Sequence, residues 1–212
     1  MGLKFSIPYQ IPFYETDITH QVKLPHLLAF SLQVSGMQSE SLGNTDKEVF
    51  DKYGLVWIVT DYAIEIDRLP RYNEKVTITT EAVSYNKIFC YRNFYIRDET
   101  DQQIMLFKTT FALMDYETRK VAEVPDEVVA PYGADKIKKL LRGPRYKALE
   151  NPIETLYRVR YFDLDMNGHV NNSKYLEWML DVFDLDFLTK YTPAYIDLKY
   201  VKEIHHGLEI YS

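Results

Sequence analysis

The hydrophobic positions in the first half of the chain change from helical spacing to alternation. Apolar residues between positions 24 and 42 recur every three or four residues, which predicts a long buried helix that begins near Pro25. Residues 45–53 have a shorter amphipathic pattern, and Gly54 supplies its stop. Before both helices, residues 4–13 alternate imperfectly around two prolines, which is typical of a strand at the edge of a sheet.

The chain then alternates between apolar and polar residues in several successive stretches. Turn-forming residues separate these stretches, so we predict antiparallel strands. The predicted strands are residues 55–66, 75–83, 89–97, 104–114 and 120–122. A long helix followed by successive strands predicts an α+β unit in which a sheet wraps round the helix.

A second unit follows a connector. We place the first unit at residues 1–123, the connector at residues 124–150 and the second unit at residues 151–212. The second unit has the apolar patterns of a strand, a helix, another strand and the start of a third strand. These predicted elements are residues 155–161, 174–183 and 194–203, and the stretch from Leu208 onward.

The two units form an internal repeat with an offset of 148 positions. At this offset the following residues coincide: Asp17 with Asp165, Ile18 with Met166, Val22 with Val170, Leu28 with Leu176, and Phe30 with Trp178. The polar chemistry differs between the units, since Asn167 stands opposite Thr19. In the same way, His169 stands opposite Gln21. We therefore predict two units from one ancestor, with a functional site kept in the second unit and lost in the first.

The densest polar motif of the chain is RYFDLDMNGHVNNSKYLEW, at residues 160–178. Asp165, Asn167 and His169 occupy alternate positions, so we expect an extended segment that points all three side chains to one side. Two asparagines and a serine follow, and then apolar residues at helical spacing. This order predicts a helix N-terminus, whose free amides are able to bind a developing oxyanion.

This motif resembles the active-site segment of the acyl-acyl-carrier-protein thioesterases. The match consists of Asp, Asn and His in order, paired asparagines, and a tryptophan on the following helix. The resemblance implies a tandem, or double, hotdog fold and hydrolysis of fatty acyl thioesters on the carrier protein. It also implies a catalytic set in which Asp165, Asn167 and His169 act with a later glutamate. That glutamate falls on Glu203.

The resemblance also implies a mechanism. Glu203, helped by Asn167 or His169, deprotonates the attacking water, and Asp165 orients His169 or the thioester end of the substrate. The first amides of the following helix polarise the thioester carbonyl. We assign substrate-binding roles to the residues that introduce this helix and to two apolar residues of the first unit: Asn171, Asn172, Ser173, Trp57 and Phe30.

Each assignment has a structural alternative. Asp165 is also suited to capping a turn, and Asn171 and Asn172 to capping the helix. An isolated histidine such as His169 is more often structural than catalytic, so its assignment depends on the combination of residues. The two apolar residues of the first unit are equally suited to a plain core.

We expect a reaction without a cysteine nucleophile, metal or cofactor. Ile204 follows Glu203, at a position where some members of the family carry cysteine. The one cysteine, Cys90, lies in a predicted strand, where a small buried residue is expected. His205 and His206 are neighbours, and neighbours on a strand point to opposite faces, so we predict no metal site.

The charge of the chain bears on its partners. The 212 residues carry a formal net charge of −6, without a basic run interleaved with aromatics, so nucleic acid is not an expected partner. The resemblance implies an acidic carrier protein, whose docking requires a local basic patch. The connector supplies a candidate patch: Lys136, Lys138, Lys139, Arg142 and Arg145. The alternative is a solvated linker helix.

No stretch of the sequence is apolar enough to span a membrane, and a single cysteine suits a reducing compartment, so we expect a cytoplasmic protein. The repeat predicts roughly 45 residues of further strands after Glu209. We therefore expect a second unit that is incomplete at its C-terminus or completed by another chain, for example in a homodimer. The functional alternatives are an acyl-CoA thioesterase of the same fold and a noncatalytic acyl-binding protein.

Overall fold

The computed structural model describes residues 2–141, 143–144, 146–147 and 149–212. The elements up to the connector are β1 (Lys4–Gln10), α1 (Leu24–Ser41), α2 (Asp46–Tyr53), β2 (Leu55–Ile66), β3 (Lys75–Tyr85), β4 (Phe89–Arg97), β5 (Gln103–Asp115), α3 (Asp126–Val129) and β6 (Asp135–Lys136). The two predicted helices and the first four predicted strands after them are confirmed. The strand predicted at residues 120–122 is wrong, since only one bridge, between Met114 and Val121, forms there.

The two helices begin and end where local chemistry dictates. Pro25 stands in the first turn of α1, where its missing N–H costs no hydrogen bond. The short helix α2 begins at a capping box between Thr45 and Glu48. It ends at Gly54, whose φ of 66° is left-handed. The buried residues of α1 recur every three or four positions: Leu24, Leu27, Leu28, Ser31, Val34 and Gln38.

The main sheet has the strand order β1-β3-β4-β5-β2, with antiparallel neighbours throughout. β1 lies at one end of this order, which confirms the predicted edge strand. Helix α1 packs on the sheet, and its Leu27 and Leu28 share an apolar core with Ile78, Phe94 and Phe107. Burial of these side chains is the main force that holds the helix against the sheet.

The second unit contributes β7 (Leu156–Arg158), α4 (Asn172–Leu180), α5 (Leu185–Lys190), β8 (Tyr195–Lys199) and β9 (Glu209–Tyr211). Residues 195–199 of β8 pair antiparallel with residues 61–65 of β2, so the second unit extends the sheet of the first. β7 and β9 form a separate two-stranded sheet. Leu176 and Leu198 belong to the same core as α1, so the two units share one apolar core.

Several boundaries in the second unit differ from the prediction. α4 begins at Asn172 rather than Lys174, because Asn171 caps it. It also ends earlier than predicted, and the short helix α5, which was not predicted, follows it. The strand predicted at residues 194–203 is confined to β8, so Glu203 lies in the loop after that strand.

The internal repeat is confirmed in the backbone at the predicted offset. Each unit contains, in order, one turn of 3₁₀ helix, one antiparallel bridge and the start of a helix. The 3₁₀ turns are Phe13–Glu15 and Tyr161–Asp163. The bridges join Thr16 to Val22 and Leu164 to Val170. The helices begin at Leu24 and Asn172. The two units therefore use one backbone motif twice.

The described part of the predicted basic patch is not helical. Residues 135–141 are extended or bent, and β6 pairs in parallel with the end of β3. Just before them, Val124, Val128 and Val129 are buried in a second apolar cluster with Leu55. Burial of these valines holds the start of the connector against the first unit. The linker-helix alternative is therefore wrong for this stretch.

Candidate active site

Asp165, Asn167 and His169 lie in a closed turn rather than in the predicted extended segment. One carboxylate oxygen of Asp165 accepts hydrogen bonds from the N–H groups of Asn167 and His169, at 2.8 and 3.3 Å. Gly168 supplies the left-handed φ of 79° that the turn requires. The prediction of an extended segment is wrong because the aspartate satisfies the backbone locally. The turn nevertheless brings all three side chains to the wall of one cavity.

The first unit builds the same turn from different residues. Asp17 accepts hydrogen bonds from the N–H groups of Thr19 and Gln21, at 2.8 and 3.3 Å. His20 takes the left-handed φ, at 62°. The hydrogen bonds of Asp165 are therefore those of turn closure, since Asp17 makes them in the unit where Gln21 replaces His169. This observation favours the capping alternative for Asp165.

Glu203 reaches the turn from the loop after β8. Its Oε2 lies 3.7 Å from Nε2 of His169. The backbone joins the same two segments, because the N–H of Val170 donates to the carbonyl of Ile204 at 3.0 Å. The ring of His205 also contacts that of His169, with centroids 5.1 Å apart. Of the four predicted catalytic residues, His169 and Glu203 are thus brought into direct proximity.

Arg119 belongs to this cluster, although the sequence did not identify it. Its guanidinium forms an ion pair with Oε2 of Glu203, the same oxygen that faces His169. Arg119 comes from the turn after β5 in the first unit, 84 positions before Glu203 along the chain. A single arginine in a turn carries no sequence pattern that connects it to a distant glutamate, so only the tertiary contact reveals its place.

The start of α4 is capped by its own side chains. Oδ1 of Asn171 accepts hydrogen bonds from the N–H and the hydroxyl of Ser173, at 3.0 and 2.9 Å. The Asn171 carbonyl accepts from the N–H of Lys174 at 2.9 Å. Over the residues that the structure describes, the N–H of Asn172 makes no hydrogen bond. That amide is available as one of the predicted oxyanion donors, and Ser173 is a buried capping partner rather than a cavity residue.

The turn that contains Asp165, Asn167 and His169 opens onto a cavity of about 570 Å³. Its apolar wall comes largely from the first unit, and Val129 of the connector adds to it. The first-unit residues of this wall include Leu32, Trp57, Val59, Phe111 and Met114. Trp57 therefore lies on the cavity wall, as its predicted substrate-binding role requires. Phe30 does not, since its ring stacks on Tyr9 with centroids 4.0 Å apart and packs against the main core. The prediction for Phe30 is corrected to a core role, because it lies on the side of α1 that faces β1.

The cavity wall also contains a buried cation. Arg92 of β4 donates hydrogen bonds to Oε1 of Gln38 and Oγ1 of Thr80, at 2.6 and 2.8 Å. Its guanidinium lies over the ring of Tyr132, 5.1 Å from the ring centroid. Burial lowers the pKa of Arg92 to about 10, so the side chain stays charged at neutral pH. The cavity is therefore apolar over much of its wall and cationic at one place.

Cys90 lines the same cavity as a protonated thiol. Burial raises the pKa of Cys90 to about 12. The thiolate is the nucleophilic form of cysteine, so this side chain is poorly suited to attack a thioester at neutral pH. The structure thus favours water over Cys90 as the nucleophile.

The predicted docking cations differ in their surroundings. Lys136 forms an ion pair with Asp126 at 2.8 Å, whereas Lys138 and Lys139 are exposed. The remaining two predicted residues of the patch, Arg142 and Arg145, lie outside the described residues.

Among the residues placed by the structure, no group of His, Cys, Asp or Glu is arranged to hold a metal ion. None of the helices in those same ranges combines the length and the apolar character needed to cross a bilayer.

Two family models match the chain. The acyl-ACP thioesterase N-terminal domain matches residues 2–132, and the acyl-ACP thioesterase C-terminal domain matches residues 146–212. The chain belongs to the acyl-ACP thioesterase family. This membership agrees with the resemblance that the motif at residues 160–178 carries.

Solved structures share the fold of this family member. A crystal structure from Lactobacillus plantarum, named as a proposed oleoyl thioesterase, is 35% identical and has a TM-score of 0.94, with 99% of this chain and 83% of that chain covered. An acyl-ACP thioesterase from Bacteroides thetaiotaomicron is 23% identical, with a TM-score of 0.86 and 97% and 84% of the two chains covered. The predicted α+β tandem hotdog fold is confirmed.

The plant relatives of the family are longer. The chloroplastic acyl-ACP hydrolase FATB3 of Cuphea viscosissima is 27% identical over 214 residues, which cover 92% of this chain and 52% of the relative. The chloroplastic oleoyl-acyl carrier protein thioesterase of Coriandrum sativum is 26% identical over 227 residues, with 97% and 60% covered. The chain thus spans little more than half the length of these plant relatives.

The two equivalent turns allow a matched test of Asp165. We expect Asp165→Ala and Asp17→Ala to lower the free energy of unfolding by similar amounts, about 1 kcal/mol each, because both remove the same turn-closing hydrogen bonds. Only Asp165→Ala should also lower thioester hydrolysis, since its turn carries His169. Urea unfolding measures the first quantity and acyl-thioester turnover the second. A large loss of turnover in Asp17→Ala would contradict the placement of the functional turn in the second unit.

For Cys90 we expect a nearly silent substitution. Cys90→Ala should retain kcat for thioester hydrolysis within about threefold of the unaltered chain between pH 6 and 9, because the thiol is protonated over that range. Steady-state kinetics and a thermal melt of the same sample check this. A loss of kcat on the order of a hundredfold with an unchanged melting temperature would show that the thiol takes part in the reaction.

Proposed function

We propose that the chain hydrolyses fatty acyl thioesters of acyl carrier protein, with water as the nucleophile. The observation that carries this proposal is the meeting of His169 and Glu203, 3.7 Å apart, on the wall of a largely apolar cavity. Both side chains are partly exposed, so the pair lies where a thioester entering from solvent reaches the cavity. Membership of the acyl-ACP thioesterase family supports carrier-bound acyl groups as substrates.

The two carboxylate oxygens of Glu203 have different surroundings. Oε2 is held by Arg119 and faces His169. The carboxylate takes a proton from water as the water oxygen attacks the thioester carbonyl carbon. When the carbon–sulfur bond breaks, that proton passes through His169 to the leaving sulfur. One water is consumed, and the products are a fatty acid and the free thiol of the carrier.

The developing oxyanion needs donors on the side opposite the leaving group. The N–H of Asn172 at the start of α4 and the side-chain amide of Asn167 are the proposed donors, because both residues line the cavity. In this scheme Asp165 closes the turn that presents Asn167 and His169, and Asn171 caps the helix that presents the Asn172 amide.

In this proposal the two hotdog units contribute different parts of the site. The first unit supplies most of the apolar wall that receives the acyl chain, including Trp57. The second unit supplies Glu203 and the turn from Asp165 to His169. We also infer a reducing compartment such as the cytoplasm, since the sequence has one cysteine and so no intrachain disulfide.

Carrier docking is proposed at the connector. Lys138 and Lys139 are exposed on a segment whose Leu141 N–H donates to the hydroxyl of Tyr91 at 3.0 Å. Tyr91 is itself a cavity residue, so the segment runs along the outside of the cavity wall. Lys136 belongs to the same segment, although its ion pair with Asp126 reduces its share, and Arg142 and Arg145 are included from the sequence alone. An acidic carrier would be attracted to this patch despite the net charge of −6.

The catalytic assignment predicts large losses in rate. His169→Ala and Glu203→Gln should each lower kcat for an acyl-ACP thioester by about a hundredfold or more, because each removes a proton-transfer group. The matched control is Gln21→Ala, which alters the position equivalent to His169 in the turn of the first unit and should leave kcat unchanged. Near-normal kcat in both catalytic variants would refute the site.

The same assay compares the proposal with its two alternatives. One acyl chain is presented on acyl carrier protein and on coenzyme A, and kcat/KM is measured for each. A preference for the carrier protein supports the proposal, whereas a preference for coenzyme A supports an acyl-CoA thioesterase. Binding of the acyl thioester without turnover supports a noncatalytic acyl-binding protein.

The docking assignment predicts an effect on one donor only. Lys138→Glu combined with Lys139→Glu should raise KM for acyl-ACP by about tenfold and leave KM for acyl-CoA unchanged, because the carrier surface loses its cationic partner. The control combines Lys47→Glu with Lys75→Glu, which changes the net charge equally at exposed positions elsewhere. Equal effects of the two double variants would argue against a specific patch.

A further inference from the structure

The ion pair between Arg119 and Glu203 crosses from one hotdog unit to the other. Arg119 belongs to the turn after β5, and Glu203 to the loop after β8. The paired oxygen, Oε2, is the one that lies 3.7 Å from Nε2 of His169. Arg119 also lines the cavity, together with His169 and Glu203. The guanidinium is therefore part of the candidate site without being part of the second unit.

The turn that carries Arg119 is held firmly in place. Oδ1 of Asp115 accepts hydrogen bonds from both the N–H and the hydroxyl of Thr118, each at 2.7 Å. The N–H of Arg119 donates to the Asp115 carbonyl at 3.0 Å. The N–H of Tyr116 donates to the carbonyl of Gly54 at 3.0 Å and so fastens the turn to the end of α2. These hydrogen bonds therefore fix the backbone position from which the Arg119 side chain extends.

The backbone of Arg119 is in an unfavourable conformation. Its φ is 57°, in the left-handed region that glycine adopts freely and an arginine rarely does. A glycine there would close the same turn without strain. Backbone strain is often retained where the side chain has a function, so we looked for a function of the Arg119 guanidinium.

Glu203 needs a partner of this kind. It lies in a loop without regular structure, and its side chain is 39% exposed. A free glutamate in such a place samples several rotamers, few of which aim at His169. Arg119 offers a planar cation with several donors, which restricts the carboxylate to one orientation.

We propose that Arg119 is a positioning residue that fixes the Glu203 carboxylate against His169, so that the active site is assembled from both hotdog units. This inference rests on the proposed thioester hydrolysis. A catalytic base that is held in one orientation is more often in position to react. Loss of Arg119 should therefore lower kcat rather than weaken substrate binding.

The test replaces Arg119 with the residue its backbone prefers. Arg119→Gly relieves the strained φ, so its melting temperature should equal or exceed that of the unaltered chain. Its kcat should nevertheless fall by about tenfold to a hundredfold, with KM changed by less than about threefold. Added guanidinium ion at millimolar concentration, well below denaturing levels, should restore part of the lost kcat. Arg119→Lys should be intermediate, because it retains the charge but not the planar fork.

Asp101→Gly is the matched control for the backbone. Asp101 also has a left-handed φ, 64°, and lies in the hairpin between β4 and β5. Its replacement relieves the same kind of strain, and kcat should be unchanged. Guanidinium ion should not raise the activity of this variant or of the unaltered chain.

The outcomes separate the two proposals. Turnover by the unaltered chain with unchanged kcat in Arg119→Gly overturns the positioning role and leaves the proposed function standing. A rise in KM with unchanged kcat, seen with phosphate-bearing donors and absent with an acyl-N-acetylcysteamine thioester, overturns it in favour of phosphate binding. No turnover by the unaltered chain overturns both.

Discussion

The pairing of β8 with β2 is the contact on which the candidate site depends. Residues 195–199 join the sheet of the first unit, and the N–H of Tyr200 continues the ladder by donating to the Thr60 carbonyl at 2.9 Å. The hydroxyl of Tyr200 donates to the Asn172 carbonyl at 2.8 Å, which ties the start of α4 to the same strand. Glu203 follows only three residues after Tyr200, so its place beside His169 and Arg119 is set by this pairing.

The repeated turn shows how one backbone supports chemistry in one unit and not in the other. The N–H of Val22 donates to the carbonyl of Pro70 at 2.8 Å, as that of Val170 donates to Ile204 at 3.0 Å. The residue equivalent to Glu203 is therefore Leu69, an apolar side chain. With glutamine and leucine in place of histidine and glutamate, the first unit keeps the hydrogen bonds of the turn but has no proton-transfer group at these two positions.

The candidate site also contains two arginines whose local conformation or burial is unfavourable for stability. Arg119 has a left-handed backbone, and Arg92 is a buried cation whose hydrogen bonds go to the neutral oxygens of Gln38 and Thr80. Both side chains line the same cavity. Departures from local preference are expected where a side chain serves a site rather than the fold, and they are compensated by the shared core of the two units.

The sequence by itself determined the elements and the repeat, because both depend on local order along the chain. Periodicity placed α1 and the strands, the capping residues placed α2, and the offset of 148 positions predicted a backbone equivalence that the structure repeats bond for bond. The motif at residues 160–178 also singled out Asn167 and His169, and both line the cavity in the structure. It failed on the conformation between Asp165 and His169, since alternation does not reveal a carboxylate that closes a turn onto its own backbone.

Only the tertiary structure decided which distant groups meet. Phe30 and Trp57 are both apolar, and it is the direction each faces in the folded unit that puts one in the core and the other in the cavity. No sequence pattern near Arg119 indicates its role, because its partner Glu203 lies 84 positions away. The pairing of β8 with β2 brings the two residues together. Local pattern fixes the conformation of a segment, whereas a site built from two units depends on packing between segments that no single stretch of sequence encodes.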